Sequence, residues 1–99
     1  MTEAQRSNYE QMVFAMSKAG VPEHLWSGLG LYHIVGVLPG GFLTAVLEHD
    51  LFEAVATGDT ESLAGLIDIV RFIYQEFPMA AHGLHRVSTW RGAEFVVDR

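Results

Sequence analysis

Apolar residues recur along this chain at spacings of three and four, the pattern of helices that each bury one face. Within residues 1–19, Tyr9, Met12, Val13, Met16 and Ala19 share a stripe, and Gly20 followed by Val21-Pro22 predicts where that helix stops. Pro22 suits the opening of a second helix, running to Val35, with Glu23 in its first turn. Gly28 and Gly30 inside it each cost about 1 kcal/mol relative to Ala. They predict close approach by another helix or an aromatic ring.

After the Pro39-Gly40-Gly41 turn comes the stretch that organises the rest, a helix predicted over 41–56. Leu43, Val46, Leu47, Leu51 and Ala54 form one stripe, and Phe42, Ala45, His49 and Phe52 a second beside it. A helix apolar over this much of its circumference packs on several sides. Gly58 suits a left-handed helix end, and Asp59 or Thr60 a following N-cap. A fourth helix over 60–77 would turn Leu63, Leu66, Ile67, Val70, Ile73 and Tyr74 inward and stop at Pro78. A short helix is expected over 83–90, begun near His82, and the β-prone run from Ala93 to Val97 predicts an extended tail. The expected fold is all-α: one domain over 1–99, a compact bundle of four to five short helices around 41–56.

Composition sharpens this picture. The chain of 99 residues is 49% hydrophobic and 18% charged, which is an ordered composition with more apolar surface than a small core absorbs. A homodimer is therefore expected. Cysteine is absent, which excludes disulfides and thiol chemistry. No apolar run approaches the roughly 20 residues that span a bilayer, and the polar start is unlike a signal peptide. A cytoplasmic protein without a membrane partner is expected.

The net charge is −6, and no Lys or Arg lies between Lys18 and Arg71. Glu23, Glu48, Asp50, Glu53, Asp59, Glu61 and Asp68 fill that interval. Such a surface is either solvated or, more sharply, a mimic of nucleic acid; it lacks the basic stripe that general nucleic-acid binding requires.

Four groups of residues could carry chemistry. His49-Asp50, with His33 before and Asp68 after, resembles the ligand order of HD-type metal phosphohydrolases, since imidazole and carboxylate together suit a divalent metal that activates water. Asp50 by itself falls on the apolar stripe, where a carboxylate would need donors such as helix amides, the Trp26 indole or an Arg. His82-Gly83-Leu84-His85-Arg86, with Trp90 and Arg91 following, could hold an anion or stack on a base. His82 and His85 are also a metal pair without an obvious third ligand. Trp26 and Tyr32 read as core aromatics of the second helix or, more sharply, as aromatic faces for a ligand. No cofactor is expected: Gly28 and Gly30 lack the spacing of a phosphate loop, and no serine sits in a nucleophile elbow.

The runs Val21-Pro22-Glu23-His24-Leu25, Gly28-Leu29, Tyr32, Pro39 to Leu47 and Asp50-Leu51 resemble a group of small proteins of tailed-phage and prophage genomes. Their pattern reads Pro-x-His, Gly-Leu-x-x-Tyr, Pro-Gly-Ser-Phe-Leu-x-Ala-Val-Leu-x-Asn-Asp-Leu, then Ala-Asp, Leu-Tyr-Asn, Pro and Trp-Gly-Ser-x-x-x-Val-x-x-Trp. The later parts map onto Gly58-Asp59, Ile73-Tyr74-Gln75, Pro78, His82-Gly83-Leu84 and Val87 to Trp90. The similarity spans about 21–91 and departs at Gly41 for Ser, His49 for Asn and His82 for Trp. The Asn in place of His49 weakens the metal-hydrolase reading. The resemblance implies a phage accessory protein in the host cytoplasm and no particular mechanism; small non-enzymatic phage proteins, as a class, often blunt host defence, and a non-enzymatic role is expected here on that ground. Two modes follow from that class: sequestering a nucleotide immune signal, with Trp26, Tyr32, Asp50, His82, His85, Arg86, Trp90 and Arg91 as ligand contacts, or occupying a host defence protein.

Overall fold

The computed structural model describes residues 1–93, and every regular element within them is helical. Helix α1 (Glu3–Ala19) starts at a capping box: the Thr2 hydroxyl accepts from the Gln5 amide, and the Gln5 side chain accepts from the Thr2 amide. It ends at Gly20, whose φ of +88° is the left-handed cap expected there. A 3-10 turn at Glu23–Leu25 follows Pro22 and leads into α2 (Trp26–Val35). The close approach expected at Gly30 is present, because a Cβ there would lie 2.6 Å from the Tyr9 ring of α1.

The central helix predicted over 41–56 is two helices, α3 (Gly41–Leu47) and α4 (Leu51–Thr57), folded on each other. His49 takes a φ of 65° just past the end of α3, and Asp50 caps α4 by accepting from the Glu53 amide at 3.1 Å. Asp50 is exposed rather than buried on a stripe. The break also turns Leu51, His49 and Phe52 outward, while Phe42, Leu43, Ala45, Val46, Leu47 and Ala54 stay in the core. The physical reason is local: Asp50-x-x-Glu53 is a helix-start signal, and a carboxylate that can cap a new helix competes with continuing the old one.

The helix predicted over 60–77 is likewise divided, into α5 (Thr60–Ala64), capped by Asp59, and α6 (Leu66–Glu76). They part at Gly65, which packs against the Pro22 ring. Gly58 is extended, not left-handed; its smallness serves the Phe42 ring, which a Cβ would meet at 2.7 Å. Along α6 the inward residues are Ile69, Phe72 and Ile73, whereas Ile67, Val70 and Tyr74 face out. Apolar residues cover two faces of α6, and periodicity alone cannot say which one meets the core. These breaks make six α-helices among the described residues, where four to five are expected; the all-α bundle itself is as expected.

The segment after α6 is not the helix expected over 83–90. It carries 3-10 turns at Met79–Ala81 and Val87–Thr89 and lies back across α2. Tyr32, fully buried, donates from its hydroxyl to the Ala81 carbonyl at 2.5 Å, and Trp90 Nε1 donates to the Tyr32 carbonyl at 2.7 Å. The Phe77 and Trp90 rings pack 6.3 and 6.2 Å from the Tyr32 ring. The tail expected to be extended lies, beyond Ala93, outside the described residues. No helix among the described residues is long and apolar enough to cross a membrane.

Candidate functional site

Breaking the central stretch creates a groove. One wall is α3 and α4 (Val46, Leu51, Ala54), the other is α6 (Leu66, Val70, Ile73, Tyr74), and His49, Asp50 and His82 stand beside them. Its volume is about 350 Å³, the lower end of the range for small-molecule sites.

The His residues come from two distant segments. His49 Nε2 and His82 Nδ1 are 2.8 Å apart, so one ring donates and the other accepts. The Gly83 amide donates to the Leu47 carbonyl and ties the second segment to the end of α3. A methyl group at Gly83 would lie 3.5 Å from Arg86 Cδ and 3.7 Å from His49 Cε1. His49, His82 and Arg86 therefore share one corner. Arg86 is held there by donating from Nη1 to the Met79 carbonyl at 2.9 Å. Partial burial lowers the His82 pKa, and the neighbouring His49 and Arg86 lower it further. An anion at this corner would reverse that last effect by neutralising the crowded positive charge.

The eight expected contacts are not gathered in one place. Asp50 and His82 line the groove, Arg86 adjoins it, and His85, exposed at a φ of 69°, follows in the same loop. Tyr32 and Trp90 present no ring face to a ligand, since both are core residues; burial, then Glu48, pushes the Tyr32 pKa to about 12. Trp26 is half-buried, donates to the Val21 carbonyl at 2.7 Å, and borders a different hollow with Tyr9, His24 and Glu61. Arg91 is exposed, its backbone packed on Gly36. Reading the sequence misses Tyr74 and Leu51 as groove residues and His49 as the partner of His82. The helix-start signal at Asp50 points to the break that turns Leu51 outward, but no local signal points to Tyr74 or to the meeting of His49 with His82.

The His33, His49, Asp50 and Asp68 quartet is also dispersed. His33 packs its ring 4.8 Å from Phe77, with Nδ1 buried and unpartnered and its pKa lowered by burial. The Asp68 carboxylate lies against Gly20 and Arg71. Among the described residues, no group of three or more His, Asp or Glu is placed to hold a metal ion. Comparison with known proteins adds no kinship, since no family, no curated protein and no solved structure matches this chain.

Proposed function

We propose that this chain is a non-enzymatic binding protein that acts stoichiometrically, in the setting its resemblance to phage proteins implies: counter-defence in the host cytoplasm. The ligand class is a small anion with an apolar or aromatic body, such as a nucleotide signal. Its charge would meet His49, His82 and Arg86, and its body would lie along the aliphatic walls beside Tyr74. The observation that carries this reading is the convergence of three nitrogen-bearing side chains, on a chain of net charge −6, at one end of an apolar groove.

Thermal unfolding against cyclic di- and trinucleotides, ADP-ribose derivatives and common nucleotides tests it. A ligand at 100 times its dissociation constant adds about 2.7 kcal/mol, a midpoint rise of roughly 10–20 °C for a domain of this size. Arg86→Ala and His82→Ala should abolish the rise, and Trp26→Ala, on the other hollow, should leave it. No rise with any compound sinks the reading. A second reading, inhibition of a host defence protein by direct contact, is favoured by the apolar side chains exposed on α4 and α6. Pull-down with those residues replaced tests it.

A further inference from the structure

Two rows of large apolar side chains flank the groove and face solvent. On α4 they are Leu51, Phe52 and Val55; on α6 they are Ile67, Val70 and Tyr74. Phe52 is 87% exposed, Tyr74 79%, Ile67 71% and Leu51 61%. At about 200 Å² for a fully exposed aromatic side chain, and somewhat less for an aliphatic one, the rows present on the order of 600 Å². That is the upper end of what a lone soluble domain leaves uncovered, about 300–600 Å². It is most of the roughly 800 Å² that each partner contributes to a stable interface.

From this we infer that the rows are the interface of a two-fold pair of identical chains, α4 and α6 of one copy against α4 and α6 of the other. The face is complementary to itself, because it carries both a knob, Phe52, and a groove of about 350 Å³. A two-fold axis needs that combination, since each copy offers the other the same surface. Charge agrees with it. Copies of net charge −6 repel, yet the rows themselves carry no charge. Helical spacing puts Glu53 off the α4 row; on α6 the Asp68 carboxylate lies against Gly20 and Arg71, and Asp50 stands at the edge of the groove. In the pair, Phe52 of each copy closes the other's groove. It then supplies the aromatic face that Tyr32 and Trp90, being buried, do not. This last consequence rests on the ligand reading above; the pairing does not.

Light scattering on the eluting protein decides it. At about 100 μM chain the expected mass is twice the 11.0 kDa of one chain, falling towards one chain on dilution. The double variant Phe52→Asp/Ile67→Asp should run as one chain with unchanged far-ultraviolet circular dichroism, because both side chains are exposed and their loss leaves the core intact. Phe14→Asp, on the solvent side of α1, should keep the doubled mass. A wild-type mass of one chain throughout, or a doubled mass in the double variant, overturns the inference. A pair that the double variant splits, with no nucleotide raising the unfolding midpoint, upholds the pairing and removes only the ligand.

Discussion

The seam between α2 and the segment that follows α6 differs instructively from the face shared by α4 and α6. Both are rich in aromatic and aliphatic side chains. In the seam every polar tip of the large aromatics has a partner: the Tyr32 hydroxyl reaches Ala81, and the Trp90 indole reaches the Tyr32 carbonyl. Those bonds let whole rings be buried without an unpaired donor. On the α4–α6 face the apolar side chains stay exposed among the described residues, and His49, Asp50 and His82 stand beside the groove between them. Equal hydrophobicity thus serves two ends. In one place it closes the fold, and in the other it is left over for an encounter.

Substitution should split the two regions cleanly. Trp90→Ala removes a buried ring and one of the two hydrogen bonds to the Tyr32 carbonyl, which keeps the Gly36 amide, so denaturant unfolding should show a loss of about 3–5 kcal/mol, most of it from the lost ring. A loss under about 1 kcal/mol would mean that the seam is not a core. Asp50→Ala removes the cap of α4 and should cost about 0.5–2 kcal/mol, while Asp50→Asn, which still accepts from Glu53, should cost little. Equal losses for the two would show that the break at 48–50 does not depend on capping. Phe52→Ala, by contrast, should change the stability of the dissociated chain by no more than about 0.5 kcal/mol.

Acid should probe both regions at once. His33 sits against the seam and His82 at the groove, and both have pKa values lowered from 6.5 in the folded chain. The unfolded chain therefore binds more protons, and the stabilising contribution is complete above pH 6.5 and declines as pH falls below it towards the folded values. The unfolding midpoint should drop between pH 7 and pH 5 for this reason. His82→Gln should flatten part of that drop, and His33→Leu the rest. A profile unchanged by either replacement would place the acid sensitivity elsewhere.

Much of the helical order was legible in the residues themselves. Gly20 ends the first helix, Asp59 caps the fifth, Pro78 follows the sixth, and Gly30 admits the Tyr9 ring. The first three are local requirements of backbone geometry and so are written where they act; Gly30 marks only that something approaches closely, not that it is Tyr9. The break at 48–50 was also written, in Asp50 and Glu53, but the apolar periodicity running across it reads equally well as one continuous helix. The candidate site was less legible than the fold. Trp90 and Tyr32 read first as core and second as ligand faces, because an aromatic side chain suits both.

What the sequence alone determined was therefore the class of fold, most helix ends and the excess of apolar surface. Only the tertiary structure decided which face of α6 turns inward, that His49 meets His82 across thirty-three positions, and that Tyr32 and Trp90 belong to the core. Helix formation is governed by residues three and four apart, whereas burial depends on which segments return to cover them. That return is a property of the whole chain.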